Sequence, residues 1–298
     1  MMEENINGII IVDKDKGYTS HDVVNVVRKI YGTRKVGHTG TLDPDATGVL
    51  PICIGKATKV CDMLTFSDKE YIARVRLGIV TDTQDLSGEV LSESEVNVTI
   101  EKLLAAVNEH VGEIMQVPPM YSALKVNGKK LCDLARKGIE VERKPRPVTI
   151  YSAEVSDFDG VEFDLKVRCS KGTYIRTLCH DIGKTLGCGA AVSELRRTAS
   201  SFFFADDAYT LDKLKKLSET GEHMSVLIPI DEVFKNYEKL TISESVQKKV
   251  CNGATSFINA PLGTYRVYDA SDKFLCIAEI SQDTEKKKNI IKMTKAFF

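Results

Sequence analysis

The residues best suited to chemistry lie in one short segment, residues 37–48. It contains three glycines, three threonines and one proline, a composition that disfavours both a regular helix and a central strand. We therefore predict a tightly shaped loop that leads into an apolar strand over residues 49–54. Asp43 precedes Pro44, and the proline biases the aspartate backbone toward an extended conformation. The loop would present a carboxylate on a stiff backbone, as a nucleophile or general base requires.

The same residues allow other interpretations. An aspartate before proline in a loop rich in glycine and threonine is typical of a turn residue that bonds nearby backbone amides. The run Gly37-His38-Thr39-Gly40 also matches the GXXG clamp of KH-type nucleic-acid-binding domains. That clamp needs a helix on both sides, whereas Leu42-Asp43-Pro44 follows here. We therefore discount the KH interpretation and keep both roles for Asp43 open at this point.

Other sequence signatures of reactive sites are missing from the chain. It has no phosphate-binding P-loop, dinucleotide fingerprint, HExxH or GxSxG motif. Its eight cysteines form no CxxC pair and no metal-ligand spacing. Several of them lie in apolar runs, which is typical of cysteines that serve as small buried hydrophobic residues. We expect a reducing compartment, no bound metal and no cofactor.

Strands and helices must position the loop, and their hydrophobic patterns are mixed along the chain. Periodicity predicts strands over residues 8–12, 71–77 and 161–169, and helices over residues 21–31 and 99–111. We expect Ser20 to cap the first of these helices. Because the elements do not follow a regular βαβα succession, we predict an α+β fold rather than a doubly wound parallel sheet.

The composition is that of a folded protein of one or two domains. The chain has 298 residues, of which 43% are hydrophobic and 28% charged, and this excludes a disordered or fibrous chain. No apolar run approaches the ~20 residues that span a bilayer, and the first residues lack a secretory-signal pattern. We therefore expect a cytoplasmic protein.

The chain divides into two parts of unequal length. We predict a main domain over residues 1–235, with a basic excursion from its core at about residues 119–151. Residues 236–298 are expected to form a small β-rich domain, because residues 264–279 have the pattern of two short strands around a turn.

Motifs along most of the main domain are shared with one enzyme family. Besides residues 37–48, they are Lys14-Asp15-Lys16-Gly17-Tyr18-Thr19-Ser20-His21-Asp22, Gly55-Lys56-Ala57-Thr58-Lys59, Lys69-Glu70-Tyr71, Leu77-Gly78, Thr81-Asp82-Thr83-Gln84-Asp85, Pro118-Pro119-Met120-Tyr121-Ser122-Ala123-Leu124-Lys125, Cys169-Ser170-Lys171-Gly172-Thr173-Tyr174-Ile175-Arg176, Gly187-Cys188-Gly189-Ala190 and Leu195-Arg196-Arg197. They cover about residues 8–200 in order, and the sequence resembles the TruB family of pseudouridine synthases. Asp15 is a departure, since the family usually has proline there.

This resemblance implies a fold and an activity. The implied fold is a mixed, largely antiparallel sheet flanked by helices, with an RNA-gripping insertion and a small C-terminal PUA-like RNA-binding domain. The implied reaction isomerises uridine-55 in the T-loop of tRNA to pseudouridine, by C–N glycosidic bond cleavage, base rotation and C–C bond formation on a flipped-out nucleotide. By resemblance Asp43 is the essential carboxylate, Tyr71 stacks on the uracil, and Arg176 pairs with the carboxylate.

The resemblance also assigns the residues that would contact the RNA. Tyr174 and Leu195 match the base pocket, Gly40 and Thr41 match the substrate-binding part of the loop, and His38 matches the histidine that fills the space left by the extruded nucleotide. The candidate phosphate ligands in the insertion are Lys125, Lys129, Lys130, Arg136 and Lys137. The implied partner is the T-arm of tRNA, with no metal, cofactor, membrane or obligate protein partner, and we expect a monomer.

Two functions of other kinds stay open on the sequence. A tRNA-folding chaperone would bind the same RNA without needing chemistry, although the joint presence of Asp43, Tyr71 and Arg176 argues against a purely binding protein. A carboxylate-based nucleoside hydrolase would act on the same kind of bond, and it would release free uracil from RNA.

The net charge of the chain conceals large local differences. There are 41 Lys and Arg against 42 Asp and Glu, a net charge of −1, which excludes a uniformly basic nucleic-acid binder. However, residues 80–115 carry −7, whereas residues 119–151 and residues 166–200 carry +5 each. Since phosphate binding depends on the local field, the total does not exclude an RNA-binding enzyme.

We expect the affinity for a tRNA transcript to fall steeply with salt, because basic segments that bind phosphates release counterions. Fluorescence anisotropy between roughly 50 and 200 mM KCl measures this dependence. An affinity that does not respond to salt would contradict the interpretation from local charge.

Overall fold

A ten-stranded mixed sheet forms the centre of the larger part of the molecule. The computed structural model describes residues 6–298. The strands of this part of the chain are β1 (Gly8–Lys14), β2 (Val36–His38), β3 (Thr47–Ile54), β4 (Lys69–Leu77), β5 (Ile79–Thr81), β6 (Val90–Glu93), β7 (Gly112–Gln116), β8 (Lys125–Val126), β9 (Lys129–Lys130), β10 (Arg146–Ser156), β11 (Glu162–Cys169), β12 (Ala190–Ser200), β13 (Phe203–Phe204) and β14 (Tyr209–Thr210).

The strand order in the large sheet is β14-β1-β3-β12-β4-β11-β10-β7, with β2 beside β3 and β13 beside β12. Two pairs, β1 with β14 and β3 with β12, are parallel. The other pairs in this sheet are antiparallel. The predicted α+β fold with a largely antiparallel sheet is confirmed.

The helices lie on both faces of the large sheet, in the basic excursion and in the C-terminal part. They are α1 (Ser20–Ile30), α2 (Cys61–Thr65), α3 (Ile100–Glu109), α4 (Leu131–Ala135), α5 (Ile175–Leu186), α6 (Leu211–Glu219) and, in the C-terminal part, α7 (Glu244–Cys251). Val23 of α1, Leu103 of α3 and Ile182 of α5 are fully buried in one core with the sheet. The amphipathic patterns of these helices are therefore satisfied by packing on the strands.

The start of α1 differs by one residue from the prediction. Thr19, not Ser20, is the N-cap: its side chain accepts a hydrogen bond from the Asp22 amide, and the Asp22 side chain accepts one from the Thr19 amide. The Ser20 hydroxyl instead accepts from the Leu42 amide at 2.9 Å and donates to the Leu42 carbonyl at 3.2 Å. Ser20 is therefore used to fix the loop that carries Asp43.

The basic excursion is shorter than predicted. After residue 118 the chain forms the small hairpin β8–β9 and the short helix α4, outside the central sheet. It returns to the sheet with β10 at Arg146, where Val148 and Ile150 alternate toward the core and are buried. Residues 146–151 therefore belong to the sheet, and the insertion ends before Arg146 rather than at Tyr151.

The C-terminal part forms its own five-stranded sheet. Its strands are β15 (Glu238–Thr241), β16 (Ser256–Phe257), β17 (Gly263–Tyr268), β18 (Phe274–Asp283) and β19 (Lys288–Ala296), in the order β15-β17-β18-β19-β16. The antiparallel pair β17–β18 agrees with the strands and turn predicted over residues 264–279.

The two sheets share an apolar contact. Phe274 and Ile277 of the C-terminal sheet, with Phe297 just after its last strand, pack in one cluster with Ile9 and Ile11 of β1. Alternation along β1 explains this, because neighbouring side chains on a strand face opposite sides of the sheet. The intervening β1 residues belong to the core beneath the helices.

Strand β12 lies between β3 and β4 and brings the key segments together. It is parallel to β3, with Arg197 opposite Gly48, and antiparallel to β4, with Arg197 opposite Tyr71. The approach of β3 to β12 is close, since a Cβ on Gly48 would lie 2.2 Å from the Arg197 carbonyl oxygen. Gly48 also has φ = +102°, a conformation that glycine adopts at little cost.

We expect Gly48→Ala to destabilise the protein much more than Gly160→Ala. Gly160 has nearly the same φ, +103°, but open space around the position of an added Cβ. Its substitution therefore measures only the free-energy cost of placing alanine at a positive φ, about 1 kcal/mol. The clash at Gly48 should add about 2 kcal/mol or more, because relieving it separates two central strands. Urea unfolding of both variants gives the comparison, and equal losses would show that the close approach of β3 and β12 is unimportant.

Candidate active site

The Asp43 carboxylate is open to solvent and lies on a buried cation. The Asp43 loop (residues 39–46) connects β2 to β3. One carboxylate oxygen of Asp43 lies 2.9 Å from Nε of Arg176, and the side chains are 43% and 6% exposed respectively. A charge-assisted contact of this kind restricts the orientation of the carboxylate while leaving it accessible to a substrate.

Arg176, in the first turn of α5, is held by several other groups. Its Nη1 donates to the Thr83 carbonyl at 2.5 Å and lies 3.4 Å from the Asp85 carboxylate. Its Nη2 donates to the Tyr121 carbonyl at 2.8 Å. The guanidinium therefore joins the Asp43 loop to the β5–β6 connection and to the first residues of the insertion.

The backbone on each side of Asp43 is fixed by a buried polar side chain. Ser20 bonds both the amide and the carbonyl of Leu42. Lys14 is fully buried, and its amine donates to the carbonyls of Pro44 at 3.0 Å and Tyr18 at 2.7 Å. These bonds hold the segment that begins at Lys14 against the Asp43 loop.

A cleft of about 390 Å³ brings together most of the predicted site residues. Its lining includes Asp43, Tyr71, Arg176, Tyr174, Leu195, Gly40 and Thr41, with Lys69 and Arg197 among the others. Tyr71 on β4 is 9% exposed, and burial raises its pKa. Burial likewise raises the pKa of Tyr174, so both phenols stay protonated at neutral pH. The cleft can hold a flat, uncharged ring against apolar and aromatic side chains.

The peptide of Tyr174 is held by a buried glutamine. Gln116, at the end of β7, is 2% exposed. Its Oε1 accepts from the Tyr174 amide at 2.8 Å, and its Nε2 donates to the Tyr174 carbonyl at 3.1 Å. This paired contact fixes the residue just before α5, and thus the start of the helix that carries Arg176.

A second, larger groove of about 610 Å³ extends from Asp43 to the insertion. His38 lies on one side of it, and Lys130 and Arg136 lie on the other. The side chains of Lys125 and Lys129 are exposed on the β8–β9 hairpin and do not line this groove. Lys137 is also exposed and outside the lining, so two of the five predicted phosphate ligands in the insertion line this groove and three do not.

His38 is held as a neutral imidazole. Its Nδ1 accepts a hydrogen bond from the Gly40 amide at 3.3 Å. Burial, followed by the nearby charge of Arg197, lowers the pKa of His38. An uncharged ring at the wall of the groove is suited to contact with nucleic-acid bases rather than with phosphates.

Residues 6–298 contain neither a metal-binding cluster nor a membrane-spanning helix. No group of three or more His, Cys, Asp or Glu side chains in this range is placed to hold a metal ion. Among the helices of the same residues, none is long and apolar enough to cross a membrane.

Comparisons with known proteins agree with the geometry. Residues 28–175 match the model of the TruB family pseudouridylate synthase N-terminal domain, and residues 176–235 match that of the tRNA pseudouridylate synthase B C-terminal domain. The chain is 46% identical over 272 residues to tRNA pseudouridine synthase B of Alkaliphilus oremlandii, covering 91% of this chain and 89% of that protein. It belongs to the TruB family of pseudouridine synthases.

Other relatives of this TruB-family protein extend the likeness to the whole chain. Identity is 47% over 276 residues to tRNA pseudouridine synthase B of Clostridium novyi, covering 91% of this chain and 94% of that one. A solved H/ACA ribonucleoprotein bound to a substrate RNA containing 2′-deoxyuridine has a chain with a TM-score of 0.70 and 27% identity, covering 100% of this chain and 86% of that one. A Cbf5-Nop10-Gar1 complex gives 0.70 and 28%, with the same coverage. As a family member the protein is an isomerase that forms pseudouridine.

Several residues of this TruB-family site have roles that sequence reasoning did not find. The sequence patterns include Lys14 and Arg197 only as members of shared motifs, and they assign no role to Gln116. Lys14 and Arg197 have polar neighbours in the sequence and gave no signal of burial. Gln116 lies between Met115 and Val117, and a large polar residue among apolar neighbours is rarely fully buried without hydrogen-bond partners. That pattern was the available signal, but it does not identify the partners, which are backbone groups distant in sequence.

The burial of Lys14 gives a test that depends on pH. Burial lowers the pKa of Lys14 from 10.5 to about 8. Between these values the unfolded chain binds a proton that the folded protein has released, so the contribution of Lys14 to stability rises with pH. The difference in unfolding free energy between wild type and Lys14→Met should therefore increase from pH 8 to pH 10, by at most about 1.4 kcal/mol per unit.

Guanidinium titrations of both proteins at several pH values measure this difference. A difference that is flat or decreases across the window would contradict the assignment of Lys14 as a buried amine whose charged form is disfavoured by desolvation.

Proposed function

We propose that this protein isomerises uridine-55 in the T-loop of tRNA to pseudouridine, with Asp43 as the essential carboxylate. The observation that carries the proposal is the exposed Asp43 carboxylate paired at 2.9 Å with the buried Arg176, inside the cleft that also contains Tyr71. The names of the relatives at 46% and 47% identity support tRNA as the substrate.

The chemistry fits the residue types of the cleft. The reaction cleaves the C–N glycosidic bond, rotates the detached uracil and joins it to the sugar through carbon, so no redox equivalent is exchanged. A single carboxylate can act as a nucleophile or can remove a proton from the sugar while the base is detached. Both routes need a carboxylate that is ionised, accessible and fixed in orientation, and the Arg176 contact provides the last of these.

Each of the other cleft residues is assigned a part in holding the nucleotide. In the proposal, Tyr71 stacks on the flipped uracil while Tyr174 and Leu195 enclose it, and the loop residues Gly40 and Thr41 contact the nucleotide. Extraction of a base from its stack costs a few kcal/mol. His38, neutral and at the edge of the groove, would fill the space that the nucleotide leaves.

The groove gives the RNA a path from Asp43 to the insertion. Lys130 and Arg136 line it and are proposed to bind phosphates next to the flipped nucleotide. Lys125 and Lys129, farther out on the hairpin, would contact phosphates more distant from it. The lysines of the insertion would therefore grip the T-arm at two distances from the active site.

The C-terminal sheet is proposed to be an additional, PUA-like RNA-binding surface. Lys286 and Lys288 lie 5.3 and 5.6 Å from the ring of the exposed Phe257. Cations next to an exposed aromatic ring suit both the phosphates and the bases of RNA. This surface would add contacts outside the T-arm.

We expect wild-type protein to form pseudouridine at position 55 of an unmodified tRNA transcript, and Asp43→Asn to reduce the single-turnover rate by about 1,000-fold or more, since removal of an essential group typically has an effect of this size. Asp45→Asn is the matched control, because Asp45 is an exposed carboxylate in the same loop, and it should retain most of the rate. Mapping of pseudouridine by chemical labelling and primer extension measures the product.

The outcomes separate the competing functions. No product at position 55 with wild type would refute the proposal, and free uracil would indicate a hydrolase. A tRNA-folding activity that Asp43→Asn retains would reveal a chaperone function in addition to the isomerase.

A further inference from the structure

Arg197 is a buried cation without an acidic partner. Its side chain is among the largest that are fully buried, and the residue is 1% exposed. Within residues 6–298, no Asp or Glu oxygen lies within ion-pair distance of its guanidinium. Burial of an arginine without a compensating carboxylate is costly. We therefore expect the buried guanidinium of Arg197 to be needed for its hydrogen bonds or for its charge.

The hydrogen bonds of Arg197 reach both ends of the Asp43 loop. Its Nε donates to the Val49 carbonyl at 2.6 Å, just after the loop. Its Nη2 donates to the Gly40 carbonyl at 3.3 Å, near the beginning of the loop. One planar group therefore fixes the distance between the two backbone segments that carry Asp43.

The same guanidinium reaches Tyr71. Arg197 and Tyr71 are opposite each other in the β12–β4 register, so their side chains project from the same face of the sheet. Both line the cleft, and the charge of Arg197 acts to lower the pKa of Tyr71. Its neighbour Arg196 points to the opposite face, where it forms a two-point contact with Asp13 at 3.0 and 2.9 Å.

We propose that Arg197 is a positioning residue that couples the Asp43 loop to Tyr71: it holds the loop ends together and provides the charge that stabilises the Tyr71 oxygen when that oxygen is negative. This inference rests on the proposed function. In the isomerisation, uracil C5 loses a proton and N1 gains one. The phenolate of Tyr71, the minor form at neutral pH, accepts the C5 proton and later releases it to solvent, while N1 takes a proton from water, so no co-reactant is consumed.

The charge of Arg197 matters because the Tyr71 side chain is buried. Burial raises the pKa of Tyr71, whereas the nearby charge of Arg197 opposes that effect. A preorganised cation next to an oxygen that becomes negative acts most strongly where water is excluded. Without Arg197, the cleft would still contain Tyr71, but in a form that ionises only at higher pH.

The test is a double-mutant cycle with Arg197→Gln and Tyr71→Phe, measured as single-turnover pseudouridine formation on a tRNA transcript. We expect Arg197→Gln to lower the rate at least 100-fold in the wild-type background. In the Tyr71→Phe background, the fold-change caused by the same substitution should be at least ten times smaller. The rise of the rate with pH should shift to higher pH in Arg197→Gln, and this shift should be absent when Tyr71 is replaced. The inference would be overturned if the rate effects of Arg197→Gln and Tyr71→Phe simply multiply in the double variant and the pH profile of Arg197→Gln equals that of wild type.

Two further variants separate charge from structure. Arg196→Gln is the matched control on the other face of β12, and its pH profile should equal that of wild type. Arg197→Lys keeps the charge but not the planar fork, so its rate should fall while its pH profile stays near that of wild type. Should Arg197→Gln fail to fold, the cycle of Arg197→Lys with Tyr71→Phe takes its place. A pH shift in Arg197→Lys as large as in Arg197→Gln would contradict the role of the charge.

Hydrogen exchange of the free protein distinguishes this inference from the proposed function. Peptides that cover the Asp43 loop should exchange faster in Arg197→Gln than in wild type, and at the wild-type rate in Arg196→Gln. An inactive wild type with this pattern would refute the proposed function alone. An active wild type whose loop exchanges equally in all variants would refute the coupling by Arg197.

Discussion

The contact between an exposed carboxylate and a buried guanidinium is the constraint on which the rest of the site depends. Asp43 can face a substrate only if something beneath it compensates its charge and fixes its orientation, and Arg176 does both. Because a buried arginine must itself be satisfied, it recruits backbone carbonyls from separate segments. The positions of the β5–β6 connection and of the insertion thus follow from the needs of one cation.

A loop rich in glycine would not hold a carboxylate by itself, and the surrounding structure supplies the missing rigidity. Lys14 and Ser20 bond the residues on either side of Asp43, and Arg197 bonds the backbone at both ends of the loop. All of these are side chains donating to or accepting from main-chain groups. The loop is therefore ordered from outside, by donors and acceptors on strands and a helix that the hydrophobic core already fixes.

Much of this could be predicted from the sequence, because patterns report exposure and burial well. Alternation located β4 and β11, and composition located the Asp43 loop. The predicted insertion extended to Tyr151 because charge and proline outweighed the short alternation of Val148 and Ile150, whereas the structure places these residues in β10. The contacts of Gln116 and Arg197 could not be predicted from the sequence, because their partners are main-chain carbonyls and amides, which nearly every residue has.

The bond from Arg176 to the Tyr121 carbonyl has a mechanical consequence. The insertion begins at this point, so any RNA that displaces the insertion also pulls on the cation beneath the carboxylate. Under the proposed function, selection of the RNA shape by the insertion and alignment of Asp43 would then depend on the same hydrogen bond. A poorly fitting RNA would meet a misaligned carboxylate as well as a weaker grip, and discrimination would be expressed in the chemical step as well as in binding.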